Sequence, residues 1–401
     1  MEAFTQNTPT EIIFGKNAEN EAANLIKKHG GSRVIIVYGE GSVVKSGLLD
    51  KICAGLDGEG ISYHKHGGAT PNPHLSFAKA GIKAAVDFKA DFVLAVGGGS
   101  AIDAAKAIAH GTANPETDIW KFWLREVPVN TSTPVGVVLT ISAAGSETSN
   151  SAVLTNTETG TKRGLNTEFN RPCFAIMNPE LTYSLPKYQI ACGIADILMH
   201  TLDRYFTPEC NENKVNELTD EIAEALMRVV IKNGPVCLEN PSDYQAQSEI
   251  MWCGSLSHNG LTGLGRTMDF SVHQLGHELG GRFDVAHGAS LTTMWGAWAR
   301  YCLNVNPARF AQYAEKVWGV HYDKTEEAIK EAAMVGIRST EGFFKAIGMP
   351  TCFTELGIGV QPDDIIEDLA FCCVHKGKRL VGSFKPLNKE DIAEIYKSAN
   401  K

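Results

Sequence analysis

The chain has 401 residues, of which 43% are hydrophobic and 21% are charged. This length exceeds what one hydrophobic core holds and predicts two or three domains, while the composition excludes collagen-like, disordered and low-complexity proteins. The net charge of −9 at pH 7, without any basic run, makes nucleic acid and membranes poor partners. The sequence shows no signal-peptide pattern and no apolar stretch near the ~20 residues of a membrane span, so we expect a cytoplasmic protein.

The ten cysteines are spread over the chain, and no two of them stand in Cys-x-x-Cys spacing. The cysteine spacing therefore gives no support for a zinc knuckle or a thioredoxin-like redox pair. Reduced thiols with a packing role are therefore expected.

The first third of the chain alternates apolar runs with amphipathic stretches. Residues 34–38 and 92–96 are short, rich in branched side chains and followed by glycine, which is typical of buried strands. Residues 73–88 and 101–109 repeat apolar side chains at helical spacing. This alternation predicts an α/β domain of the nucleotide-binding type, built on a parallel sheet.

The pattern changes after Leu185 and Pro186, where helical periodicity begins to dominate. We therefore predict a domain boundary near Pro186, with an α/β domain over 1–185 and a helical domain over 186–401. If the two halves pack closely, a cleft between them is the expected place for an active site. Three further extended runs precede the boundary, at residues 135–139, 152–154 and 173–177.

Gly97-Gly98-Gly99-Ser100 lies directly between a predicted strand and a predicted helix. Glycines let the backbone approach an anion, and the first turn of a helix offers unpaired N–H groups and the positive end of the helix dipole to a pyrophosphate. The common dinucleotide fingerprint is absent, because Ile102 stands where its last glycine would be. A tight turn with a purely structural role remains the alternative.

Five side chains of metal-ligand type occur at suggestive spacings: Asp196 with His200, His273 with His277, and then His287. Residues four apart lie on one face of a helix, so each pair can address one point. The first pair lies in an otherwise apolar stretch, where an unpartnered carboxylate and imidazole would be costly to bury. The set predicts a metal site, and hydrogen-bonded core histidines are the alternative.

Together these motifs resemble the iron-containing (group III) alcohol dehydrogenases, and the resemblance covers essentially the whole chain. Within that family the chain is most similar to the butanol dehydrogenases and broad-range aldehyde reductases. The resemblance implies a Rossmann-like α/β dinucleotide-binding domain over 1–185. It also implies an all-helical, dehydroquinate synthase-like metal-binding and catalytic domain over 186–401. The most specific segments are 8–16, 38–42, 71–73, Gly97-Gly98-Gly99-Ser100 with Asp103, 145–147, and His273-Gln274-Leu275-Gly276-His277-Glu278-Leu279.

The resemblance implies a reversible hydride transfer between a primary, butanol-like alcohol and NAD or NADP, carried out by a homodimer with one divalent metal, Fe²⁺ or Zn²⁺. It makes Asp196, His200, His273 and His287 the metal ligands, and it gives His277 a role in substrate contact or proton relay. The residues that it places around the cofactor are Gly39, Glu40, Ser42, Asn72, Gly97, Gly98, Gly99, Ser100, Thr140, Ser142, Ser149 and Lys162.

Glu40 departs from the family pattern, since members that use NADP typically have glycine there. A carboxylate would repel the 2′-phosphate of NADP and could accept hydrogen bonds from the 2′-hydroxyl of NAD. NAD is therefore slightly favoured over NADP, although Lys45 is close enough in sequence to weaken the repulsion.

Other functions remain open at this point. A glycerol or other polyol dehydrogenase of the same superfamily would share the glycine loop and the metal domain. A non-redox metal-dependent hydrolase would use the same ligands to activate water. Zinc proteases with two histidines four apart are excluded, because they require glutamate directly after the first histidine and Gln274 stands there.

Overall fold

The computed structural model describes residues 1–39, 41–211 and 216–401. The chain divides into two compact units: Asn7–Leu185, and Pro186–Lys401 together with Met1–Gln6. No helix of the described residues is long and apolar enough to cross a bilayer.

The first unit contains a parallel six-stranded sheet with the order β1-β8-β5-β4-β2-β3, and a separate antiparallel hairpin of β6 and β7. The predicted α/β class with a parallel sheet is confirmed. Four of the predicted strands lie in this sheet, and the run at 152–154 lies in the hairpin. The strands are β1 Glu11–Phe14, β2 Arg33–Gly39, β3 Ser62–Ala69, β4 Phe92–Gly97, β5 Val135–Leu139, β6 Ser151–Asn156, β7 Thr161–Asn166 and β8 Phe174–Met177.

Helices connect these strands and cover the sheet. Residues 92–97 and 135–139 are buried along their whole length, as their nearly unbroken apolar sequences predict. Ile26, Leu49 and Leu56 pack with sheet residues in one hydrophobic cluster. The helices of this unit are α1 Ala22–Lys28, α2 Ser42–Lys45, α3 Leu48–Gly58, α4 Leu75–Phe88, α5 Gly99–Ala113 and α6 Trp120–Trp123.

The strand order changes direction between β2 and β4. From β2 the chain first adds β3 on one side, and then crosses back to place β4 on the other side of β2. In open α/β sheets, ligands bind outside the carboxyl ends of the strands at such a switch point. The two loops at this switch point follow Gly39 and Gly97.

The second unit is built of helices in its described part. Its interior contains a group of buried aromatic side chains, in which the Phe206 and Phe310 rings stack with centroids 4.3 Å apart and Trp298 lies against both. The helices are α7 Lys187–Tyr205, α8 Pro208–Asn211, α9 Glu217–Glu239, α10 Tyr244–His258, α11 Ser271–Phe283, α12 His287–Cys302, α13 Pro307–Trp318, α14 Glu326–Ala346, α15 Phe353–Leu356, α16 Asp363–Cys373 and α17 Lys389–Ala399.

Candidate active site

The glycine loop joins β4 to α5 as the sequence predicts. Gly97 ends the strand, Gly98 caps the helix and α5 begins at Gly99. A Cβ added to Gly98 would lie 2.1 Å from Ile141 Cγ2, whereas one added to Gly99 would meet only Ala144 Cβ at 4.0 Å. The Ile141 side chain thus explains why position 98 has no room for a residue larger than glycine. Space is left at Gly99, in the first helical turn, where free N–H groups favour an anion.

Several other predicted cofactor residues lie at the same edge of the sheet. Gly39 ends β2, and Thr140 directly follows β5 and donates its backbone N–H to Gly97 O at 3.1 Å. Because β2, β4 and β5 are parallel neighbours, their carboxyl ends meet at this edge. Ser42 begins α2 in the loop after β2, and Glu40 lies outside the described residues.

Asn72 and Lys162 contact each other across a long sequence separation. Lys162 Nζ on β7 donates to Asn72 Oδ1 at 2.9 Å. Asn72 follows β3 and has a φ of 55°, in the left-handed region that few residues other than glycine adopt. The contact joins the hairpin to the loop after β3, so both side chains are placed beside the carboxyl edge of the sheet.

The two predicted serines after β5 differ in their surroundings. Ser142 is 7% exposed, and its hydroxyl is buried without a hydrogen-bond partner among the described residues. This hydroxyl is therefore available to a water molecule or a ligand. Ser149 lies in a protein-internal network instead, where its carbonyl accepts from Lys106 Nζ at 3.3 Å and its hydroxyl donates to Ser151 O at 3.4 Å.

Lys106 is a fully buried cation that the sequence analysis missed. Its Nζ donates to Ser146 O and Ser151 O, each at 2.7 Å, and contacts Ser146 Oγ at 2.9 Å. Ser146 Oγ in turn donates to Asp103 Oδ1 at 2.6 Å, and the Val153 N–H donates to Oδ2 at 2.9 Å. Burial lowers the pKa of Lys106 to about 8, against the charge of Asp103. The network fixes the loop between β5 and β6. In the sequence, only the three-residue spacing of Asp103 and Lys106 on α5 indicates that these two side chains could interact.

In the second unit, three helices bring the four predicted metal ligands together. Asp196 and His200 lie one turn apart on α7, His273 is on α11, and His287 is the first residue of α12. Asp196 Oδ1 lies 3.5 Å from His200 Nε2, 3.7 Å from His273 Nε2 and 3.7 Å from His287 Nε2. Ligand atoms of Asp196, His200 and His273 all lie within 4.8 Å of one another.

These distances fit a metal ion. Tetrahedral ligands with bonds of ~2.0–2.2 Å stand ~3.3–3.6 Å apart. His273 Nε2 is buried and has no hydrogen-bond partner among the described residues, although it faces Asp196. Burial lowers the pKa of His200 well below its ordinary value, which keeps the imidazole neutral as metal binding requires. One carboxylate with neutral imidazoles suits Zn²⁺ or Fe²⁺.

Asp203 contacts His273 through Nδ1, the ring nitrogen that does not face Asp196. Its Oδ2 lies 2.5 Å from His273 Nδ1, and its side chain is 1% exposed. Burial opposes a charge on His273, but the hydrogen bonds and charges of Asp196 and Asp203 outweigh it and raise the pKa of that imidazole. Two carboxylates around one buried histidine therefore create a local preference for a cation. Asp203 was not predicted, although its spacing of seven from Asp196 places it on the same helical face.

His200 has its own set of neighbours, which the sequence analysis also missed. His258 Nδ1 lies 2.9 Å from His200 Nδ1, and Arg204 Nη2 lies 3.1 Å from His258 Nδ1. Phe270 packs against His200 and His273, with ring centroids 5.9 and 5.0 Å away. Arg204 could have been found from its four-residue spacing to His200, whereas no local pattern indicates His258 or Phe270.

His277 lies beside the four clustered residues. It follows His273 by one turn on α11, and its ring centroid is 6.4 Å from that of His273 and 5.3 Å from that of His287. The Nε2 atoms of these two neighbours each lie 3.7 Å from Asp196 Oδ1. The histidine is partly exposed, which suits a group that exchanges protons.

Comparison with known proteins agrees with this fold and geometry. A family model described as iron-containing alcohol dehydrogenase matches residues 9–179, and one described as the C-terminal part of the same family matches residues 190–400. The chain is 36% identical to NADH-dependent butanol dehydrogenase A of Clostridium acetobutylicum, covering 100% of both chains. It is 34% identical to the NADPH-dependent aldehyde reductase YqhD of Escherichia coli, covering 89% of this chain and 90% of that protein.

A solved structure of NADH-dependent butanol dehydrogenase A from Thermotoga maritima superposes with a TM-score of 0.93 at 33% identity, covering 100% of this chain and 99% of the other. The parallel sheet, the helical unit and the histidine cluster thus define a metal-dependent dehydrogenase. The chain belongs to the iron-containing alcohol dehydrogenase family. Within it, the chain falls in the branch of butanol dehydrogenases and aldehyde reductases, and the polyol dehydrogenase and hydrolase alternatives are not favoured.

Proposed function

We propose that the protein catalyses reversible hydride transfer between a primary, butanol-like alcohol and NAD(P), with one divalent metal held by Asp196, His200, His273 and His287. The observation that carries this proposal is the position of Asp196 Oδ1, which lies 3.5–3.7 Å from the Nε2 atoms of three histidines on three helices. When bound, the metal supplies Lewis-acid activation of the substrate oxygen. Residues 186–401 are the proposed metal-binding and catalytic domain, and residues 1–185 the dinucleotide-binding domain.

The roles of the side chains follow from their surroundings. Asp203 holds the proton on His273 Nδ1, which leaves Nε2 available as a ligand. His277 takes up or releases the proton of the hydroxyl group through its imidazole. In the first unit, the N–H groups at Gly99 and Ser100 hold the pyrophosphate. The proposed ribose and nicotinamide contacts come from Gly39, Ser42, Asn72, Gly97, Gly98, Thr140, Ser142, Ser149 and Lys162.

The test compares His273→Ala with His277→Ala by elemental analysis and by turnover of an alcohol and aldehyde panel with NAD(H) and NADP(H). The His273→Ala variant should lose metal and activity together. The His277→Ala variant should keep the metal, and its kcat should fall by about 10²-fold or more, because general acid–base catalysis contributes that much. Full activity in metal-free His273→Ala would overturn the proposal. The same elemental analysis distinguishes iron from zinc.

We propose NAD as the preferred cofactor. The support is the charge of Glu40 in the sequence after β2, and the two butanol dehydrogenases compared above are NADH-dependent by name, whereas YqhD is NADPH-dependent. Glu40→Gly removes the carboxylate that would repel a 2′-phosphate, so the ratio of kcat/KM for NADPH over NADH should rise. An unchanged ratio contradicts the assignment. We also propose that the protein is a cytoplasmic homodimer. Sedimentation velocity tests whether it is a dimer.

A further inference from the structure

His258 approaches His200 from the side opposite to Asp196. His200 Nε2 lies 3.5 Å from Asp196 Oδ1, while His200 Nδ1 lies 2.9 Å from His258 Nδ1. The two rings meet at a steep angle, with centroids 4.0 Å apart and planes inclined by 64°. Two imidazole nitrogens at this distance share one hydrogen bond, so one of them carries the proton and the other accepts it.

Arg204 decides which nitrogen accepts. Its Nη2 lies 3.1 Å from His258 Nδ1. A guanidinium group has donors and no acceptor, so this contact assigns His258 Nδ1 as the acceptor. The proton between the two histidines therefore belongs to His200 Nδ1. A neutral imidazole has one N–H, so His200 Nε2 presents its lone pair toward Asp196.

Arg204 is itself fixed in place. Its residue is 3% exposed, its Nη1 donates to His200 O at 2.7 Å, and its guanidinium lies 4.7 Å from the centre of the Phe270 ring. Nη1 also approaches His200 Nδ1 at 3.4 Å, which is a weak contact beside the 2.9 Å contact from His258. A buried cation with these restraints cannot turn away from His258 without losing its bond to the α7 backbone.

We infer that His258 is a positioning residue that, together with Arg204, holds His200 in the one neutral tautomer able to bind a metal through Nε2. The inference rests on the metal site of the proposed function. It gives the two buried ligand histidines different partners: His273 Nδ1 faces a carboxylate oxygen of Asp203, whereas His200 Nδ1 faces an imidazole nitrogen of His258. Without His258, the proton of His200 is free to occupy Nε2, where it competes with the metal.

The test uses the holoenzyme and two variants of His258. His258→Leu removes the acceptor at similar volume, whereas His258→Asn keeps an acceptor oxygen near the position of Nδ1. Metal dissociation constants are measured by chelator competition, and visible spectra are recorded after Co²⁺ substitution. We expect about 10–100-fold weaker binding and shifted cobalt bands for His258→Leu, as is usual when an outer partner of a ligand is lost. His258→Asn should restore both readouts, and His321→Leu, an exposed histidine on the same unit, should change neither.

Wild-type affinity and an unshifted cobalt spectrum in His258→Leu would overturn the inference, as would equal loss in His258→Asn. If His258→Leu does not fold, Arg204→Met tests the same inference, because His258 Nδ1 can keep its proton once the guanidinium is removed. Unchanged metal affinity in Arg204→Met would also overturn the inference. The His200→Ala variant tests the proposed function separately. Wild-type metal affinity there would reject the ligand set itself, whatever His258 does.

Discussion

Asp203 Oδ2 and His273 Nδ1 lie 2.5 Å apart in the interior of the helical unit, where their side chains are 1% and 3% exposed. We predict that Asp203→Ala weakens metal binding by about 10–100-fold, because the carboxylate both orients the imidazole and increases its basicity. Asp203→Asn, which keeps an acceptor without the charge, should lie between it and wild type. The measurement is chelator competition, with the half-exposed Asp368→Asn as control. Equal affinity in wild type and Asp203→Ala would contradict the assigned role.

Gly98 and Gly99 should have different roles, with Gly98 required for packing and Gly99 required for ligand binding. Gly98→Ala should destabilise the protein, since its Cβ would lie 2.1 Å from Ile141 Cγ2. Gly99→Ala should leave the unfolding free energy unchanged or raise it by up to about 1 kcal/mol, because alanine favours a helix and the nearest atom is 4.0 Å away. Yet it should weaken NAD(P)H binding, measured by fluorescence titration, because the methyl group occupies the space for the pyrophosphate. Unchanged NAD(P)H binding in Gly99→Ala would contradict a role in cofactor binding and favour a purely structural turn.

Lys106→Met should destabilise the first unit by about 3 kcal/mol, because it leaves Asp103 and the carbonyls of Ser146 and Ser151 without their cation. NAD(P)H binding should weaken as well, since the loop after β5 loses its anchor. Thermal unfolding and fluorescence titration measure the two effects. The matched control is Lys83→Met, whose exposed pair with Asp87 should contribute less than about 1 kcal/mol. Similar effects for both lysines would contradict the structural role of the network.

Because His110 is buried, we predict that the protein loses stability in mild acid. His110 is fully buried, its Nε2 bonds Asn170 Oδ1 at 2.8 Å, and burial lowers its pKa to about 4 from an ordinary value of about 6.5. Between these two pH values the unfolded chain binds a proton that the folded chain does not, so the unfolding free energy falls as the pH falls. At pH 5 this contribution is about 2 kcal/mol.

The measurement is denaturant unfolding of wild type and His110→Gln at pH 7 and pH 5. All other titrating groups are common to both proteins, so the difference between them isolates His110. Wild type should lose more stability than the variant over this interval. Parallel losses would show that the imidazole is not held neutral.

The sequence by itself determined the fold class and the chemical character of the metal cluster. Hydrophobic period and length give the buried strands at 34–38 and 92–96, because local patterning reports which faces are buried. Likewise, residues four apart share a helical face, so Asp196 and His200 could be paired before the structure was known.

Only the tertiary structure decided which side chains surround that cluster. His258 reaches His200 across 58 positions, and His273 reaches Asp203 across 70. Such contacts depend on how α7, α10 and α11 pack, and no local period encodes this packing. The same holds for Lys106, whose partners lie 40 to 45 residues away in a loop. Spacing along one helix specifies the groups that can bind a metal, whereas the burial and hydrogen bonds that set their protonation arise only when separate helices meet.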